Sequence, residues 1–256
     1  MGRIDDVFKN KKAFIPFITA GDPSLEITEQ LIHAMTESGA DLIELGIPFS
    51  DPVAEGPVIE KASLRALSAG VNTDKIFDMV ERVREKNQIP MAFMSYANPI
   101  YSYGTERFMA NCRKVGIDAI IVPDIPFEEK EELKPFCDQY GIVLISMIAP
   151  TSKERILKIV KEAEGFLYCV SSMGTTGVRN EIGSHIDEMI SLVKQVKGIP
   201  CAVGFGVSSP AQAKALASLS DGVIVGSAIV KLIAEYKEDC IPHVKAYVRD
   251  MSRAII

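Results

Sequence analysis

Asp41-Leu42-Ile43-Glu44-Leu45-Gly46-Ile47-Pro48-Phe49-Ser50-Asp51-Pro52-Val53-Ala54-Glu55-Gly56-Pro57 is the stretch from which the fold is read. An apolar run carries Glu44 and stops at Gly46. A Pro-bracketed loop follows and holds a second carboxylate, Glu55, before a helical pattern starts near Pro57. Strand, loop and helix make one βα unit. The acid inside the strand stands out, because burying an unpaired carboxylate is costly.

The same unit recurs in both directions from this stretch. Apolar runs predict strands at 13–19, 40–46, 89–96, 117–123, 142–149, 166–171, 200–205 and 222–225. Helical spacing follows each run, as in Ile27, Leu31 and Met35, or Ile76, Met79, Val80 and Val83. Ser24, Ser152 and Ser208-Ser209-Pro210 supply helix starts. The third strand opens into Ala97-Asn98-Pro99, with a helix near 105–115. A Glu- and Lys-rich segment at 128–140 reads as one solvated outer helix, and a last helix covers about 241–252.

The strand runs are continuously apolar rather than alternating, as in a parallel sheet covered by helices. Eight units in 256 residues predict an α/β fold, one (β/α)8 TIM barrel over residues 1–256. Extra helices are expected at the N-terminus, after the second strand and at the C-terminus. The alternative is a doubly wound open sheet, and the first strand lacks the Gly-rich dinucleotide fingerprint that would favour it.

Composition limits the function classes. A net charge of −6 with no Lys/Arg run argues against a nucleic-acid binder. Residues 1–12 are polar and every apolar run is shorter than a membrane span, so a cytoplasmic location is expected. The five cysteines form no CxxC pair and the three histidines are far apart, so neither a disulfide framework nor a metal site is expected.

In such a barrel the chemistry lies at the C-terminal strand ends and the loops after them. Those ends carry Phe17, Glu44, Tyr96, Asp124 and Tyr168, with Glu55 in a loop. Asp124 fits a turn cap as well as a functional acid, and the tyrosines fit a core as well as a pocket. Glu44, among Leu42, Ile43 and Leu45, fits an acid whose pKa burial raises. Glycines cluster at three successive strand ends: Gly174 with Gly177, Gly204 with Gly206, and Gly226 before Ser227. The last two groups lie ahead of helix starts, where backbone N–H groups and the helix dipole favour a phosphate.

Glu44-Leu-Gly-Ile-Pro-Phe-Ser-Asp-Pro resembles the α subunit of tryptophan synthase. So do Pro16-Phe17-Ile18-Thr19-Ala20-Gly21-Asp22-Pro23, Tyr96-Ala97-Asn98-Pro99, Thr175-Thr176-Gly177, Gly204-Phe205-Gly206 and Gly226-Ser227-Ala228. These motifs run in order through essentially the whole chain. The resemblance implies retro-aldol cleavage of indole-3-glycerol phosphate to indole and glyceraldehyde 3-phosphate, with no metal or cofactor in this chain. It implies Glu44 as general acid/base and Glu55 as the acceptor for the indole N–H. The family usually has Asp at that second position, so Glu55 reaches farther by one methylene, roughly 1.3–1.5 Å.

The same matching implies an indole pocket of Phe17, Tyr96, Ile121, Tyr168 and Phe205. It implies a phosphate site of Gly177, Gly206, Gly226 and Ser227, and a lid carrying Thr176. The implied partner is a pyridoxal-phosphate β subunit in an α2β2 heterotetramer, met in part by residues 48–52. A stand-alone indole-releasing lyase and a weakly active activator of a β subunit are the competing expectations.

Overall fold

The computed structural model describes residues 2–150, 152–170, 179–204 and 206–256, with backbone only for 179–184. Nine parallel strand segments form its sheet. They are β1 (Ala13–Thr19), β2 (Ile43–Gly46), β3 (Met91–Met94), β4 (Ala119–Ile121), β5 (Val143–Leu144), β6 (Ser146–Ile148), β7 (Leu167–Val170), β8 (Cys201–Gly204) and β9 (Gly222–Val225). They hydrogen-bond in the order β5-β4-β3-β2-β1-β9-β8-β7-β6.

β5 and β6 are two halves of the one strand predicted at 142–149. Ile145 still donates its N–H to Ile120 O at 2.9 Å. From Ser146 onward the chain pairs with β7 instead. The strand changes neighbours at Ile145, and that change closes the ring. The eight units of the sequence thus form a TIM barrel with nine pairing segments.

Helices surround it: α1 (Arg3–Val7), α2 (Leu25–Glu37), α3 (Pro57–Ser68), α4 (Thr73–Arg84), α5 (Ala97–Tyr103), α6 (Thr105–Val115), α7 (Lys134–Tyr140), α8 (Lys153–Glu162), α9 (Arg179–Val196), α10 (Pro210–Ala217), α11 (Ser227–Tyr236) and α12 (Cys240–Ala254). The extra helices are α1, the second of the α3/α4 pair after β2, and α12. Two segments differ from the sequence expectation. The helix predicted at 128–140 is a 3-10 turn at Phe127–Glu132 followed by α7. Pro135 has no N–H to continue a helix across the break. Residues 97–103 form a helix of their own, because the Asp124 carboxylate accepts from Ala97 N at 3.0 and 3.2 Å.

Strand alternation sorts the side chains. Phe17 pairs with Glu44, Glu44 with Ala92, and Ala92 with Ala119, so these four share a face. That face is the barrel interior, where Ile15, Leu42, Ile121, Tyr168 and Ile224 pack together. The opposite parity, with Phe14, Ile18, Ile43, Leu45 and Phe93, packs under the helices. At the N-terminal end of the strands α1 plugs the interior with Ile4 and Val7, while Phe8 rests on Phe166 at 5.3 Å between ring centres. Arg3 pins the plug through Asp118 at 2.7 Å and Gly116 O at 2.7 Å. The chemistry is left to the opposite mouth.

Candidate active site

Glu44 projects from β2 into the barrel with 0% exposure. Neither carboxyl oxygen has a hydrogen-bond partner among the described residues. Burial pushes its pKa up to about 8, so the carboxyl is mostly protonated at neutral pH. The strand ladder fixes its backbone on both sides, through Phe17 of β1 and Ala92 of β3.

Glu55 is held differently. It ends the loop after β2, one residue before Gly56, the N-cap of α3. Tyr96 donates its hydroxyl to Glu55 Oε2, and Ala54 N donates to the same tyrosine oxygen at 2.9 Å. Burial pushes the Glu55 pKa up to about 7; its own backbone N–H pulls it down, and Glu60 and Asp124 push it up. The far end of α3 is tied down by Arg65, whose Nε and terminal nitrogen each donate to the buried Asp22 carboxylate at 2.7 Å. A bidentate pair of this kind fixes orientation as well as distance. It anchors the helix from which the Glu55 loop hangs.

Of the sequence-predicted pocket, Phe17 and Tyr96 share a small cavity with Glu55, and Ile121 and Tyr168 pack together in the barrel interior. Phe17, Tyr96, Ile121 and Tyr168 are all buried. Two glycines make room for the rings. A Cβ at Gly46 would come within 2.6 Å of the Phe17 ring, and one at Gly204 within 2.6 Å of the Tyr168 hydroxyl. Tyr168 has its pKa pushed well above the usual phenol value, by burial first and then by Glu44 and Glu55. Its hydroxyl therefore lies within electrostatic reach of both acids. Asp124 caps α5 rather than facing the pocket. Sequence reasoning missed Thr19, Met94 and Ser63, which wall the same cavity as Glu55 and Tyr96. Strand parity could have found the first two, since Thr19 follows Phe17 by two positions and Met94 follows Ala92 by two.

The two helix starts predicted to hold phosphate differ. α10 caps itself: Ser209 accepts from Gln212 N, and Gln212 Oε1 accepts from Ser208 N and Ser209 N. Gly206 lies three residues upstream of that cap with φ +67°, a left-handed conformation that suits glycine. α11 starts at Ser227 behind Gly226 with no side-chain cap: Ile229 N and Val230 N donate to Gly226 O at 2.9 and 3.1 Å, while the N–H groups of Ser227 and Ala228 have no acceptor among the described residues. Gly226 abuts Phe17, with 3.3 Å from a built Cβ to the ring, so this helix start adjoins the pocket. Thr176, Gly177 and Phe205 lie outside the described residues.

In the loop expected to meet a partner, Pro48 is buried and Phe49 folds back onto Tyr96, 5.4 Å between ring centres. Val53, at 79% exposure, is the apolar side chain this loop presents outward.

A model of the tryptophan synthase alpha chain family matches residues 5–255. The chain belongs to the tryptophan synthase alpha chain family. It is 44% identical over 255 residues to the tryptophan synthase alpha chain of Lacticaseibacillus casei, covering 100% of this chain and 96% of that one. It is 50% identical over 228 residues to that of Bacillus pumilus (strain SAFR-032), covering 89% and 85%. Among solved structures, the tryptophan synthase alpha chain from Legionella pneumophila subsp. pneumophila superposes with a TM-score of 0.90 at 36% identity, covering 100% of this chain and 97% of that one. A chain of tryptophan synthase from M. tuberculosis in its aminoacrylate-bound form gives 0.89 at 30% identity, with 100% of both covered. Among the described residues, no helix is long and apolar enough to cross a membrane.

Proposed function

We propose that this chain cleaves indole-3-glycerol phosphate to indole and glyceraldehyde 3-phosphate, with Glu44 moving the protons and Glu55 holding the ring nitrogen. As a tryptophan synthase alpha chain it is the lyase component of tryptophan biosynthesis. The observation that carries the assignment is the fully buried carboxyl of Glu44, which has no hydrogen-bond partner among the described residues.

A protonated Glu44 gives its proton to indole C3, and the ring becomes an electron-poor iminium. Glu55, ionised, accepts the hydrogen bond of the ring N–H and stabilises the positive charge there. The Glu44 carboxylate then takes the proton of the neighbouring glycerol hydroxyl. The O–H electron pair becomes the aldehyde C=O bond, and the broken C–C pair returns to the ring and restores indole. Glu44 ends protonated, as it began. A carboxyl with its pKa near neutrality suits both transfers. Phe17, Ile121 and Tyr168 supply the apolar walls, and the uncapped start of α11 suits the phosphate.

A tryptophan synthase alpha chain has a β subunit as partner. We assign pyridoxal phosphate to that subunit, an α2β2 stoichiometry to the complex and a cytoplasmic location to the enzyme. Indole release by wild type and Glu44→Gln, with and without a β subunit, is the test. Activity of Glu44→Gln close to wild type would overturn the proton-transfer role. Turnover unchanged by an added β subunit would favour stand-alone action. No indole release from the wild type, alone or with the β subunit, would leave the activator role.

A further inference from the structure

Three buried side-chain oxygens have no hydrogen-bond partner among the described residues. Two belong to Glu44, and the third is the hydroxyl of Thr19. Thr19 is 1% exposed, at the last position of β1. It has the parity of Phe17 and therefore faces the barrel interior. Its strand neighbour is Gly46, which has no side chain to cover the hydroxyl. Thr19 lines a cavity of about 10 Å³ together with Phe17, Gly46, Glu55, Ser63 and Tyr96. That is about the least space that holds one water.

A buried hydroxyl with no partner is destabilising, so its presence calls for a role. The acceptor on the far side of the cavity is Glu55. One of its oxygens, Oε2, already takes the Tyr96 hydroxyl. An ionised carboxylate has about four acceptor sites, so Tyr96 and the residue's own backbone N–H leave it under-satisfied. We propose that Thr19 is a positioning residue whose hydroxyl is the second side-chain donor to the Glu55 carboxylate, through a single bridging water. The inference rests on the role given to Glu55 above. Two donors on different elements, β1 and the segment after β3, aim the carboxylate and hold it ionised against the burial that raises its pKa. The longer side chain bears on this arrangement: an aspartate at 55 would reach roughly 1.3–1.5 Å less far.

The test combines Thr19→Val and Thr19→Ser with Glu55→Asp. The Glu55 titration is read by carboxyl ¹³C NMR in the substrate-free protein, assigned with Glu55→Gln. Turnover is read as indole release. Valine keeps the shape and removes the donor. Thr19→Val should raise the Glu55 pKa above its value of about 7 and lower kcat at pH 7 about tenfold with KM within about twofold. Thr19→Ser should keep both titration and rate near wild type. In the Glu55→Asp background Thr19→Val should change kcat by less than about twofold. An unmoved Glu55 titration in Thr19→Val overturns the inference, and so does a serine variant no better than valine. Should Thr19→Val fail to fold, Thr19→Ala carries the same comparison. If Glu55→Gln releases indole at the wild-type rate, the role of Glu55 falls while the titration still decides the hydrogen bond.

Discussion

Glu44 and Glu55 lie eleven residues apart; burial raises both pKa values, but the two side chains are held differently. Glu44 is on a strand paired on both sides, surrounded by apolar groups, with desolvation the one cause of its raised pKa. Glu55 is on a loop, held by a tyrosine hydroxyl, with its own backbone N–H working against burial. A proton carrier needs a fixed position and a pKa that stays near neutrality in both directions of transfer, so a rigid apolar strand serves it. A charge stabiliser needs an ionised carboxylate aimed at one atom, so a loop with donors serves it. In the proposed reaction the same functional group serves as an acid at one position and as an anion at the other.

The largest test of this contrast is Glu44→Gln, which should lower indole release about 10³-fold. It also has a stability signature. The folded pKa of about 8 lies above the unfolded value near 4.5. The wild-type protein therefore loses stability as pH rises from about 4.5 through 8. The Tm of Glu44→Gln should gain on wild type between pH 5 and pH 9. A gap that stays constant across that range would mean Glu44 titrates normally. Next is Gly204→Ala, which pushes the Tyr168 hydroxyl out of a 2.6 Å conflict and away from both acids. Activity should fall about 10²-fold, while circular dichroism stays that of the wild type.

Tyr96→Phe affects the loop acid alone. Loss of the donor destabilises the ionised Glu55, so its pKa rises above about 7. In wild type the kcat/KM profile should be a bell, with an acid limb near pH 7 from Glu55 and a basic limb near pH 8 from Glu44. Tyr96→Phe should shift the acid limb upward and leave the basic limb in place, with a loss of about tenfold at pH 7. The smallest effect is expected for Asp124→Asn. It keeps the acceptor for Ala97 N but removes a charge that raises the Glu55 pKa. The acid limb should move down slightly, with kcat changed by less than about threefold. A larger loss would make Asp124 part of the chemistry.

Most of the barrel was legible because its strands are short apolar runs bounded by Gly and Pro, and its helices keep strict periodicity. The switch of neighbours at Ile145 was not, since it depends on which strands the ring brings alongside and leaves no local mark. The helix at 97–103 was hidden because its stabilising contact, Asp124, comes from 27 residues away. Glu44 could be read from its apolar neighbours in sequence. Phe49 could not, because the choice between an outward face and the Tyr96 ring is made by tertiary packing. Thr19 sits in a motif used only for its overall resemblance, and its place beside Glu55 on one cavity is visible only in the structure.

The bare start of α11 has a thermodynamic consequence. A helix without a cap is an unfinished element, and a phosphate lodged on its N–H groups would finish it. A phosphate bound there would then add to the stability of the folded chain. At a concentration 100 times its Kd, a ligand specific to the folded chain adds about 2.7 kcal/mol of stability. The first turn of α11 would then be ordered most fully in the molecules that are turning over.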